Sequence, residues 1–212
     1  MDRIVKNLYP DHMARPRSFD EQRVLQAVRD QFWDAGYAAT SLDDLMRVSG
    51  LGKGSLYAAF GDKHQLFLRA LHSYADNTHG NLREAIAAAP RALDGLRTIV
   101  MAPAGDPTGA AARRGCLMAN STCELASGDP DVRDQAHHNY ETMTALIADG
   151  VARAQREGDV PADADPTALA RALLAALEGL TFLGRTGMDI ETLAATARSL
   201  ADHLLPDPPT AE

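Results

Sequence analysis

At 212 residues, with 45% hydrophobic and 24% charged positions, the chain has room for one small and one larger globular unit, and its composition excludes both a disordered chain and a membrane-embedded one. Two cysteines exclude a disulfide scaffold and suit a reducing cytoplasm. A net charge of −8 argues against a nucleic-acid partner until it is divided along the chain: residues 1–80 carry ten basic and ten acidic side chains, so the whole excess of acid falls in 81–212.

Residues 1–17, with Arg3, Lys6, Arg15 and Arg17, have no apolar periodicity and read as a flexible basic arm. Such an arm either reaches an adjacent DNA groove or has no role. MDRIVKNLYPDHM is broken by charges and Pro10, so it is not expected to act as a secretory leader. Ser18 or Asp20 can start a first helix that Gly36 stops. Thr40 or Ser41 can cap a second, with Leu42, Leu45 and Met46 at helical spacing and Gly50 at its exit. A third, roughly Lys53 to Phe60, turns Leu56 and Phe60 to one side and leaves Lys53, Ser55 and Tyr57 nearer the other. Two short helices joined at a glycine turn have the outline of a helix-turn-helix.

GYAATSLDDLMRVSGLGKGSLYAAFGDKHQLF, with its Gly-Tyr opening, G-x-x-x-G-x-[LI]-Y-x-x-F core and a lysine two residues after a glycine, resembles the N-terminal signature of TetR-family transcriptional regulators. The resemblance covers about 45 residues, near Phe19 to Phe67, and departs from the usual pattern at Met46 and Gly52. It implies an all-α protein with an N-terminal three-helix DNA-binding domain (18–63), a helical effector-binding and dimerisation domain (64–205), and a disordered tail (206–212). The implied partners are a palindromic double-stranded DNA operator, a second copy of the chain and a small-molecule effector. No membrane, metal or other cofactor is expected. Lys53 and Ser55 are assigned to phosphate or base-edge contacts, Tyr57 to a phosphate or a thymine methyl, and Gly54 to close backbone approach. By resemblance, Thr40 or Ser41 and Lys63 grip flanking phosphates, with Arg17 from the arm.

Beyond Gly61 a long apolar stripe runs from Leu66 to Ile86, and Pro90 stands in the first turn of the helix that follows. Arg113 to Ala126 reads as one helix, on which Cys116, Asn120 and Cys123 share a face. This stretch resembles the Gly-Cys-Leu-x-x-Asn segment of a TetR subgroup, some members of which sense electrophiles or oxidants. Arg113 and Arg114, one turn earlier, would lower the Cys116 thiol pKa and favour such a role, whereas a buried cysteine would simply pack. Asp129-Pro130 and Asp165-Pro166 each open a long helix, and Asp189 opens the last. The helix over 166–185 is apolar on more than one face, which nominates Leu169, Leu173, Leu177, Leu180 and Leu183 for a four-helix dimer interface. His137, His138 and Glu141 lack a third metal ligand at recognised spacing. The reading is therefore a cytoplasmic regulator and not an enzyme, most often a repressor, released by an effector or by thiol modification. The alternative is a helical cysteine enzyme or an interaction protein that does not bind DNA.

Overall fold

The computed structural model describes residues 19–206. Arg17, with the rest of the expected arm, and residues 207–212 of the tail lie outside the described residues. The described residues form helices α1 (Glu21–Ala35), α2 (Leu42–Ser49), α3 (Lys53–Phe60), α4 (Lys63–Ala88), α5 (Ala92–Met101), α6 (Ala110–Arg114), α7 (Leu117–Leu125), α8 (Pro130–Glu157), α9 (Pro166–Arg185) and α10 (Ile190–Leu204), with a 3₁₀ turn at Ala102–Ala104 and no strand among them.

Side-chain caps set most of the starts. Asp20 accepts the N–H groups of Gln22 and Arg23, and reciprocal capping boxes join Ser41 to Asp44 and Asp62 to Gln65. Asp129, Asp165 and Asp189 cap α8, α9 and α10. Each cap satisfies donors that the first helical turn would otherwise leave unpaired, worth on the order of 1 kcal/mol. At α5 the donor is met from elsewhere: Glu157 on α8 accepts the Ala92 N–H at 2.7 Å, so the helix starts after Arg91 rather than at Pro90.

Two apolar cores follow. The first joins Val24, Val28 and Phe32 of α1, Leu45 of α2, and Leu56 and Phe60 of α3 to the first half of α4, from Leu66 to Ala75. It also takes in Leu117 and Met118 of α7 and Val132 and Ala136 of α8, so the small N-terminal unit is sealed by the larger one. The second core packs α5, α8, α9 and α10 around Leu96, Ile147, Val151, Leu173 and Leu193. The 26-residue α4 enters both cores and can carry a displacement from one to the other.

Two expectations need correction. The single helix over Arg113 to Ala126 is broken at Gly115, whose φ of 72° is open to glycine and strained for other residues. Cys116 is consequently the N-cap of α7, with its Sγ accepting the Ala119 N–H at 3.4 Å, and it does not stand on a helical face with Asn120 and Cys123. The second correction concerns α9. Leu173 and Leu180 are buried inside the protomer and cannot reach a second copy, whereas Leu169, Leu177 and Leu183 pack against the same core and stay half-buried. The face of α9 left exposed carries Ala168, Ala172, Ala175, Gly179 and Phe182, and Phe182 is 64% exposed. By length and composition α9 could cross a membrane, with a hydropathy of 1.4, but here it packs against α8, α10 and α5.

Candidate DNA interface and effector cavity

The turn between α2 and α3 is made by Gly50 in the left-handed conformation (φ 69°), which lets the chain reverse within two residues. α3 then buries Leu56 and Phe60 and leaves Lys53, Gly54 and Ser55 exposed, with Tyr57 half-buried. A Cβ at Gly54 would meet nothing within 4 Å, so the first turn of α3 presents bare backbone outward. Lys53 Nζ lies 5.8 Å from the centre of the Tyr57 ring, which places a cation and a phenol on one exposed edge. Lys63 stands at the start of α4 with Nζ 4.4 Å from the Tyr37 ring centre. Ser41 is exposed, and its capping hydroxyl holds the Asp44 carboxyl down to about 2. Thr40, by contrast, is buried and donates its hydroxyl to the Gly36 carbonyl at 2.7 Å, so its side chain locks the α1–α2 loop.

The α1–α2 loop is also held from the far unit. Glu124 on α7 accepts the backbone N–H groups of Tyr37 at 3.0 Å and Ala38 at 2.7 Å. Arg114 donates to Asp34 at 2.7 Å and to the Asp30 carbonyl at 3.1 Å, and its guanidinium lies 4.2 Å from the Trp33 ring centre. His64 and Asp129 meet at 2.7 Å between the first turn of α4 and the cap of α8.

Behind these contacts is a cavity of about 650 Å³, walled by α1, α4, α5, α6, α8 and α9. Trp33 and Tyr74, in edge contact at 4.9 Å, line it with Cys116 and Glu178, and with the apolar side chains Leu82, Ile99, Met143 and Leu177. The Tyr74 hydroxyl donates to Cys116 Sγ at 3.4 Å. Burial, reinforced by the Glu178 charge, pushes the Cys116 thiol up to about 11, and burial also raises the Glu178 carboxyl. The expected activation of Cys116 by Arg113 and Arg114 therefore does not occur: Arg114 is engaged with α1, and Arg113 donates to the Thr108 carbonyl. Asn120 donates to the Arg114 carbonyl at 3.2 Å, and Cys123 is exposed on α7. The histidines offered as a base for Cys116 lie outside this cavity: His137 and His138 are exposed, and His137 pairs with Glu141 at 3.4 Å.

Trp33, Glu124 and Glu178 were not singled out by the sequence, and Arg114 was singled out only as a neighbour of Cys116. Glu178 left one signal, as a lone acid inside an otherwise apolar helical run.

A match to the family model of bacterial regulatory proteins, tetR family, covers residues 24–70, and one to the tetracyclin repressor-like C-terminal domain covers 92–200. The chain belongs to the TetR family. It is a DNA-binding transcriptional regulator. Among curated TetR relatives, the HTH-type transcriptional regulator YezE of Bacillus subtilis is 29% identical over 182 residues, 85% of this chain and 94% of that protein. The HTH-type transcriptional repressor ComR of Escherichia coli is 27% identical over 185 residues, 87% of this chain and 88% of that one. A solved structure of the TetR-family regulator CifR, a cysteine mutant complexed with 26-bp double-stranded operator DNA, superposes with a TM-score of 0.76 at 30% identity, covering 88% of this chain and 98% of that one.

Proposed function

We propose that this TetR-family chain is a cytoplasmic homodimeric repressor that grips a palindromic operator with two copies of α3 and releases it when a small molecule fills the cavity behind α1. One observation carries the reading: Trp33 belongs to the DNA-binding unit and is at the same time a wall of the cavity. A ligand there touches the element that orients the recognition helix. It releases DNA to the extent that it binds the non-operator arrangement more tightly.

Exposed Lys53, Gly54 and Ser55 form the contacting edge, with Tyr57, Ser41 and Lys63 on its flanks. Their work is done in pairs, because one small module buries only about 600–1,000 Å² of protein on DNA and specific sites need more. The small-residue face of α9 around Ala172, Ala175 and Gly179, with Phe182 at its end, supports close packing against a second copy. The repressor function of ComR and the operator complex of CifR favour the same reading.

A gel-shift series against a candidate palindrome at rising salt tests it. Binding should weaken steeply with salt, and Lys53→Ala and Tyr57→Ala should each lower affinity at least about tenfold while leaving the dimer intact. Unaltered affinity in both variants overturns the recognition-helix assignment.

A further inference from the structure

The cavity wall carries many polar side chains, but nearly all have committed their protons. Asn139 bonds His79 and Met143. Thr78, Thr98 and Thr181 donate back to the carbonyls of Tyr74, Asp94 and Leu177. Arg114, the cation of the wall, is held by Asp34 and the Asp30 carbonyl. Of the three buried side-chain atoms without a hydrogen-bond partner among the described residues, Gln135 Oε1 lies away from this cavity, and the other two are Trp33 Nε1 and Glu178 Oε2. Both side chains line this cavity. A buried polar atom left unpaired is costly, so the group that completes both gains more than one that completes either.

The two atoms ask for different things. An indole N–H can only donate and needs an acceptor, whereas a carboxyl oxygen needs a donor. A ligand carboxylate would answer Trp33 but set its charge against Glu178. An ammonium would answer Glu178, yet it has no lone pair for Trp33 and must shed its hydration in a largely apolar chamber. A hydroxyl or a primary amide offers donor and acceptor together without charge. The rest of the wall, from Leu82 and Ile99 to Met143 and Leu177, suits a hydrocarbon body, and about 650 Å³ lies within the range of drug-sized sites.

We infer that the cavity binds an uncharged, mainly apolar molecule whose hydroxyl or amide end sits between Glu178 and Trp33. This inference rests on the cavity being the effector site. The chain has a single tryptophan, Trp33, so its fluorescence reports directly on the polar end.

The test titrates the full chain at neutral pH with three ten-carbon probes of equal length: 1-decanol, decanoate and decylammonium. Decanol should bind about tenfold or more tightly than either ion and shift the Trp33 emission. Glu178→Leu should lose about tenfold in decanol affinity, and Glu178→Gln, which keeps an acceptor for the hydroxyl and removes the charge, should retain it and admit decanoate more readily. The inference is overturned if either ion matches decanol, if no probe alters Trp33 emission, or if Glu178→Leu binds decanol as the natural chain does. Operator gel shifts on the same samples separate the two readings. Decanol that binds through Glu178 without changing operator affinity sinks the effector-site reading and leaves the polarity of the cavity established.

Discussion

Glu124 offers the sharpest test of how the two units are joined. Its carboxylate accepts two backbone N–H groups from the α1–α2 loop, at 3.0 and 2.7 Å. Gly36 lies so close that a Cβ there would stand 3.0 Å from Glu124 Oε2. Hydrogen bonds to a charged acceptor contribute about 1.5–3 kcal/mol each when buried. Here the carboxylate is exposed, which lowers the pair to roughly 1–2 kcal/mol in total after solvent screening. Glu124→Ala should therefore accelerate amide hydrogen exchange at Tyr37 and Ala38 by about 5- to 30-fold, with about 1.4 kcal/mol corresponding to a factor of ten. Glu124→Gln keeps one carbonyl acceptor and should fall between. The core around Phe32, Leu45 and Phe67 is untouched, so amides inside α1 should keep their protection. Exchange at Tyr37 and Ala38 that stays at its original rate in Glu124→Ala would refute the idea that this carboxylate tethers the DNA-binding unit.

The thiols give a second prediction: with Cys116 raised from an ordinary 9 to about 11, iodoacetamide at pH 7.5 meets roughly a hundredfold less thiolate than at an unperturbed cysteine. Mass spectrometry should find exposed Cys123 labelled well ahead of Cys116, and equal rates would contradict the buried environment. The Glu178 carboxyl is raised by burial, so the folded state holds its proton more firmly than the unfolded chain does. Its contribution to stability is present at low pH and declines as pH rises above the ordinary carboxylate range. Thermal unfolding across pH should show that decline flattened in Glu178→Gln, and parallel curves would deny it. Phe182→Lys places a charge on the exposed α9 face and should shift sedimentation toward the monomer while leaving helix content unchanged.

Locally encoded features were legible in the sequence. Asp20, Ser41, Asp62 and Asp129 cap helices through neighbours two or three residues away, and Gly36 and Gly50 end them by backbone freedom, so both devices show in a short window. The two sides of α3 were readable for the same reason: Leu56 and Phe60 turn inward at helical spacing and leave Lys53 and Ser55 outside. What the sequence concealed depends on partners far along the chain. Arg114 sits two residues from Cys116, yet its charge is spent on Asp34, 80 residues earlier, so proximity in sequence suggested an activated thiol that the fold buries instead. Leu173 and Leu180 of α9 misled through a different cause, since periodicity states that a helix has a greasy face without stating which neighbour covers it. Trp33 and Glu178 come together only when α1 and α9 close around the same space. A regulator must join a site that reads DNA to one that reads a molecule, and that joint necessarily lies in pairs remote in sequence. The least legible residues, Trp33, Arg114, Glu124 and Glu178, are therefore the ones on which the proposed coupling depends.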